Sequence, residues 1–419
     1  MQGFVIEGGK RLSGEVSVCG AKNAALPILA ACVLTRSEVR LKNCPQLSDV
    51  FSAFKILSCL GCKCSFIDGE ARIDSGVIES EYIPDKLMRL MRSSALYLGA
   101  CLGRTGRCTL SYPGGCELGP RPIDLHLLAL EKMGADISEE HGVIECSCPA
   151  GLHGAGISLS FPSVGATENI MLAAVCAAGE TVIYNSAREP EIVDLARFLR
   201  KCGADISGEG SSVIRIKGVK ELHGCTYEIM PDRIVAATYL CAAALTGGEL
   251  TVRNTRPEDN RAVTDVLIET GLDIFSFDDK TYINAARPLK SVGRIRTMPY
   301  PGFPTDAQPL VSAVLTRAKG TSIIVENIFE NRYKHNPELV RMGANIKTEG
   351  RVAVIEGVPM LFGTRIMAGD LRAGAALLIA ALSAEGISEL GNIEYIDRGY
   401  ESIEKVFSKL GANIKRTVI

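Results

Sequence analysis

Ile403-Glu404-Lys405-Val406-Phe407-Ser408-Lys409-Leu410-Gly411-Ala412-Asn413 reads as a surface helix that stops on a glycine. Ile403, Val406, Phe407 and Leu410 recur at helical spacing, and glycine is the expected helix terminator. The closing phrase occurs six times: Leu60-Gly61-Cys62, Met133-Gly134-Ala135-Asp136, Cys202-Gly203-Ala204-Asp205, Thr270-Gly271-Leu272-Asp273, Met342-Gly343-Ala344-Asn345 and Leu410-Gly411-Ala412-Asn413. Its glycines lie 73, 69, 68, 72 and 68 residues apart. A fixed period means one supersecondary unit used six times. Residues that interrupt the repeat can therefore be read as additions for chemistry.

Most units also carry a far more apolar helical stretch, at residues 24–34, 170–178, 235–245 and 373–382. With almost no polar face, these predict helices buried on nearly all sides. They are too short and too alanine-rich to span a membrane. Short alternating segments at 213–216 and 352–355 read as strands. A third marker follows about twenty residues after the glycine phrase: Leu152-His153-Gly154, Leu222-His223-Gly224 and Leu361-Phe362-Gly363. After Gly411 the chain ends before that marker is due, and Leu12-Ser13-Gly14 supplies it if the numbering wraps around. The phase thus places the strand region 4–18 in the last repeat, beside the C-terminus. The prediction is an α/β fold of two lobes with three repeats each, the chain crossing near residues 20 and 230. Residues 1–21 with 231–419 form a discontinuous lobe, and residues 22–230 form the second lobe, which carries the Cys116 loop.

Composition narrows the classes. At 419 residues each lobe is large enough for a real core, and the net charge of −2 gives no global attraction to nucleic acid or anionic membrane. Fifteen cysteines, odd in number and scattered, several inside apolar helices, fit buried free thiols in a reduced cytoplasmic protein. Cys62 with Cys64 and Cys146 with Cys148 are spaced C-x-C, but no partners at zinc-finger spacing accompany them, so no metal is expected. No phosphate-binding loop of the G-x-x-x-x-G-K-[ST] type, dinucleotide fingerprint or Ser-His-Asp arrangement is present.

Three sets of residues do not fit the repeat. The loop Tyr112-Pro113-Gly114-Gly115-Cys116-Glu117-Leu118-Gly119-Pro120-Arg121-Pro122 follows a strand-like segment and precedes a helix starting near Asp124. It reads either as a lid with a reactive or acid/base cysteine, its thiolate favoured by Arg121, or as an ordinary turn in a cysteine-rich chain. Lys22, Arg92 and Arg372 precede apolar helices, where a cation is locally unfavourable. Either an anionic ligand compensates them or each is paired with a neighbouring carboxylate. Asp232 and Asp306 occupy similar helix starts, where an acid is simply favourable. Arg121, Arg332 and Arg398 each stand between a strand and a surface helix, suited to bidentate capture of carboxylate or phosphate. Together they suggest a shared anionic ligand between the lobes.

These residues carry a family resemblance. Gly20-Ala21-Lys22-Asn23-Ala24, Pro113-Gly114-Gly115-Cys116, Arg121-Pro122-Ile123-Asp124-Leu125, Ser163-Val164-Gly165-Ala166-Thr167, Pro231-Asp232-Arg233, Pro304-Thr305-Asp306, Glu330-Asn331-Arg332, Asp370-Leu371-Arg372 and Asp397-Arg398-Gly399-Tyr400 resemble the UDP-N-acetylglucosamine enolpyruvyl transferases, in order and over essentially the whole chain. The resemblance implies a two-lobed inside-out α/β barrel closing over small-molecule substrates, phosphoenolpyruvate and UDP-N-acetylglucosamine. It implies no cofactor and no metal, and a role in the first committed step of peptidoglycan precursor synthesis. It implies that Cys116 protonates phosphoenolpyruvate, can add to it covalently, and is the target of fosfomycin. Asp306 would take the proton from the sugar hydroxyl. Lys22, Arg121 and Arg398, with Arg372 close by, would surround the phosphoenolpyruvate carboxylate and phosphate, with Asn23 beside the sugar and the intermediate. Nucleotide-sugar contacts would come from Asn23, Arg92, Arg121, Pro122, Ile123, Asp124, Leu125, Ser163, Val164, Gly165, Asp306 and Ile328. Phe161 departs from the pattern: some members carry Lys there, near the diphosphate.

Two other readings compete. An enolpyruvyl transferase acting on shikimate phosphate would share the fold but not the Cys116 loop. Six units in a ring also describe a DNA sliding clamp, which needs a basic inner face; here the inner helices are apolar.

Overall fold

Each of the six phrase glycines ends a helix in the left-handed region, with φ of +103° at Gly61, +94° at Gly134, +104° at Gly203, +97° at Gly271, +95° at Gly343 and +100° at Gly411. The turn is closed by paired backbone bonds. At one helix end Gly411 N donates to Ser408 O at 3.1 Å and Ala412 N to Phe407 O at 3.0 Å, and the same pair recurs at Gly134, Gly203 and Gly343. These bonds satisfy carbonyls a helix end would otherwise leave open, and a side chain at such φ would be strained. The six surface helices so ended are Ser48–Cys59, Asp124–Lys132, Pro190–Lys201, Arg261–Glu269, Asn336–Arg341 and Ile403–Lys409.

The computed structural model describes residues 2–114 and 123–419. The described chain divides into two compact units: a terminal lobe of residues 2–19 and 231–419, and a central lobe of residues 20–114 and 123–230. Each has its own hydrophobic core. In the terminal lobe the core is three mutually packed helices, Arg233–Thr246, Gln308–Leu315 and Leu371–Ser383. Their central-lobe equivalents are Lys22–Ala31, Tyr97–Thr105 and Val164–Ala174. Side chains such as Ile28, Leu29, Leu310 and Leu378 are fully buried, and each such burial contributes roughly 1.5–3 kcal/mol. The helix predicted over 170–178 instead runs over Val164–Ala174, because Thr167 and Asn169, polar but buried, belong to its packed face.

Outside the helices each lobe carries three four-stranded sheets of one design. Gly156–Ser158 runs parallel to Glu180–Tyr184, which pairs antiparallel with Val213–Lys217, itself the partner of Asp205–Ser207. The chain ends share one such sheet: Gln2–Glu7 pairs antiparallel with Asn413–Val418, Gln2 facing Val418. The strand region 4–18 does not stay together. Ser13–Ser17 leaves for another sheet, parallel to Glu249–Arg253. The break falls at Gly8, where a Cβ would lie 2.2 Å from the Ala384 carbonyl oxygen, and at Gly9, with φ +81°. Among the described residues no helix is long and apolar enough to cross a membrane, and no cluster of His, Cys, Asp and Glu suits a metal.

Candidate active site

In the central lobe, Lys22 is the first residue of the buried helix Lys22–Ala31. Its Nζ lies 2.6 Å from Asp49 Oδ2, with the two side chains 8% and 4% exposed. The helix-start cation is thus paired with a carboxylate, which itself sits favourably in the first turn of Ser48–Cys59. Asn23 is half-buried beside it. Arg92 opens the short helix Arg92–Leu96, and its Nη1 reaches the Pro113 carbonyl at 3.5 Å.

Two central-lobe segments singled out in the sequence are brought together. Ile123 precedes the helix Asp124–Lys132; Ser163 caps the helix Val164–Ala174, its hydroxyl accepting from Ala166 N at 3.3 Å. Asn169 joins them: its Nδ2 stands 2.9 Å from His126 Nδ1 and donates to Ala95 O at 3.0 Å, while its Oδ1 accepts from Gly99 N at 2.7 Å. Gly165 lies against the same ring, where a Cβ would sit 3.2 Å from His126 Cε1. Burial, with the Arg92 charge nearby, pulls the His126 pKa down to about 4, so the imidazole is neutral. Phe161, just before this cap, is exposed.

In the terminal lobe, Asp306 lies in the turn before the helix Gln308–Leu315 and holds two arginines. Arg332 Nη2 donates to Asp306 Oδ1 at 2.7 Å, and Arg372 Nη2 to Oδ2 at 3.2 Å. The two arginine side chains are 2% and 4% exposed, whereas that of Asp306 is 28% exposed. Arg332 also grips the Thr305 carbonyl through Nε and Nη2 at 3.1 and 3.0 Å. Arg372 Nη1 donates to Tyr400 Oη at 3.3 Å, and that hydroxyl stands 2.8 Å from Thr238 Oγ1. Burial alone would lower the Arg372 pKa; the charges of Asp306, Tyr400 and Asp232 outweigh it and hold it above the ordinary arginine value. Asp370 caps the helix that Arg372 enters, accepting from Arg372 N and Ala373 N at 2.9 Å each. Asp232 caps Arg233–Thr246 in the same way.

Glu326, fully buried, organises the neighbouring loop. Its Oε1 accepts from Thr297 Oγ1 at 2.8 Å, Ile328 N at 2.8 Å and Phe329 N at 3.1 Å, and its Oε2 from Thr305 Oγ1 at 3.0 Å. One carboxylate thus fixes both the Ile328 backbone and the turn bearing Asp306. Arg398 is half-buried after the short helix Glu394–Asp397, whose Asp397 is held bidentately by Arg416 at 2.9 and 2.7 Å. Cys116, Arg121 and Pro122 lie outside the described residues.

The sequence signals were uneven. Arg332 was visible as a junction arginine, yet nothing local showed that it meets Asp306. Asp49 looks like any acid in a helix's first turn, and Glu326, His126 and Asn169 carry no motif.

Six repeated units, three in each lobe, are the fold of the enolpyruvyl transferases. The family model that matches residues 6–407 is described as EPSP synthase (3-phosphoshikimate 1-carboxyvinyltransferase). The chain belongs to this family, on the branch of the UDP-N-acetylglucosamine 1-carboxyvinyltransferases. It is 52% identical over 413 residues to UDP-N-acetylglucosamine 1-carboxyvinyltransferase 2 of Caldanaerobacter subterraneus subsp. tengcongensis, covering 99% of each chain. It is 49% identical to the protein of that name from Carboxydothermus hydrogenoformans, again over 99% of each. Among solved structures, the enolpyruvyl transferase NikO from Streptomyces tendae matches with a TM-score of 0.89 at 26% identity, over 99% of both chains. EPSP synthase from Acinetobacter baumannii, at 19% identity and a TM-score of 0.77, shares the fold.

Proposed function

We propose that this chain transfers the enolpyruvyl group of phosphoenolpyruvate to the 3-hydroxyl of UDP-N-acetylglucosamine, releasing phosphate, as the first committed step of peptidoglycan precursor synthesis in the cytoplasm. The observation that carries the choice of acceptor is the 52% identity, over 99% of both chains, with a protein of that name.

The chemistry assigns the residues their parts. A proton is added to the methylene carbon of phosphoenolpyruvate, the sugar oxygen bonds to the adjacent carbon, and a tetrahedral intermediate results. Loss of a methyl proton and of phosphate then restores the double bond. Cys116 serves as acid at the methylene carbon and can bond to the same centre that the sugar oxygen attacks. Asp306 takes the sugar hydroxyl proton; its geometry supports this, because two buried arginine side chains aim the carboxylate while part of it stays exposed. Lys22, Arg121, Arg372 and Arg398 offset the carboxylate, phosphate and developing negative charge. Asn23, Arg92, Ile123 to Leu125, Ser163 to Gly165 and Ile328 hold the nucleotide sugar, on segments that His126, Asn169 and Glu326 fix.

Phosphate release measured with phosphoenolpyruvate and UDP-N-acetylglucosamine tests this reading. Release that is as fast with shikimate 3-phosphate, or that ignores the nucleotide sugar, would overturn it.

A further inference from the structure

We propose that Cys202 and Cys225 form a redox-active dithiol that a peroxide converts to an intramolecular disulfide. Their sulfurs stand 3.5 Å apart in the central lobe. A backbone bond of the repeat lies beside this pair. The backbone N–H of His223 donates to Cys202 O at 3.0 Å, and the same bond recurs from His153 to Met133 at 3.0 Å and from Phe362 to Met342 at 2.8 Å. Counting two places on from the donor gives the position equivalent to Cys225 in each unit. The equivalent pairs are Met133 with Ala155 and Met342 with Thr364, and only in the third unit are both positions cysteine.

The two thiols differ in the way a resolving pair needs. Cys202 is fully buried, whereas Cys225 is partly exposed. The hydrogen bond from Cys202, with the charges of Lys201 and His223, lowers the Cys225 thiol and favours its thiolate. Cys225 thiolate attacks one peroxide oxygen, the O–O bond breaks, and Cys225 becomes a sulfenic acid as the peroxide leaves as an alcohol or water. Cys202 sulfur then attacks Cys225 sulfur and expels hydroxide, which leaves as water with the Cys202 proton. Two thiols are oxidised and one peroxide is reduced. The bond would tie the end of Pro190–Lys201 to the strand Thr226–Glu228, which leads to Met230, whose carbonyl accepts from Ala21 N at 2.7 Å beside Lys22.

The test is titration of the full folded chain with hydrogen peroxide, alkylation of the remaining thiols, and peptide mass spectrometry without reduction. The expected product is a linked peptide pair joining Cys202 to Cys225, two hydrogens lighter than the free pair and released by dithiothreitol. Cys202→Ser should instead leave a Cys225 sulfenic acid that dimedone traps. If Cys202 and Cys225 are recovered alkylated while other cysteines oxidise, the proposal fails; the wild-type measurement decides this even if the variant does not fold.

Discussion

Replacing Asp306 separates its structural part from its chemical one. In Asp306→Ala, Arg332 and Arg372 lose the carboxylate they share, at 2.7 and 3.2 Å, while their side chains stay 2% and 4% exposed. Removing one partner of a buried pair costs about 3–5 kcal/mol, and the partial exposure of Asp306 places this case near ~3 kcal/mol. In a lobe of about 200 residues, where 1 kcal/mol moves Tm by ~2–4 °C, the expected loss is about 6–12 °C. Asp306→Asn keeps the shape and one hydrogen-bond acceptor, so its Tm should fall by less. It cannot accept the sugar proton, so kcat for phosphate release should fall by ~10²–10⁴ at a temperature where the variant is folded. Calorimetry and a phosphate-release assay at fixed pH read the two effects. An Asp306→Asn enzyme within roughly threefold of wild-type kcat would refute the role as base, and an Asp306→Ala protein with unchanged Tm would refute the clamp.

Glu326→Gln turns an acceptor of four bonds into a group with donors facing donors; KM for UDP-N-acetylglucosamine should rise more than kcat falls, with ~1–3 kcal/mol lost in stability by calorimetry. Fosfomycin should add covalently to Cys116 in the presence of the nucleotide sugar, read as an adduct on that peptide by mass spectrometry; an adduct elsewhere contradicts the assignment. His126 and His335, pulled down to about 4 and about 3 by burial, bind protons less readily folded than unfolded. Their contribution is therefore complete above pH ~6.5 and lost as pH falls toward those values, roughly 3 kcal/mol or more each, which denaturant melts at pH 7 and pH 5 should show as falling stability. Gly271→Ala, at φ +97° with only the Pro288 carbonyl oxygen at 4.0 Å, should destabilise the fold through backbone strain alone, by ~1–2 kcal/mol, read by calorimetry as a lower Tm.

The repeat was legible because its signals are local. Glycine at a left-handed helix end has few substitutes, so six such ends appeared as six phrases, and helices buried all round are apolar all round. What escaped were contacts made at long range. Lys22 and Asp49 pair across 27 positions, and Arg332 reaches Asp306 across 26, with nothing near either residue to name its partner. The Val164–Ala174 helix was placed late because Asn169 is polar; only the fold shows that its amide is spent on Ala95, Gly99 and His126. The two strands in 4–18 looked continuous, since the obstruction at Gly8 comes from Ala384, far along the chain.

Acceptor-dependent phosphate release is the most direct measurement. With phosphoenolpyruvate present, adding UDP-N-acetylglucosamine should start stoichiometric release of phosphate and formation of the enolpyruvyl ether, and shikimate 3-phosphate should not. No release with the nucleotide sugar, or equal release with shikimate 3-phosphate, would contradict the account.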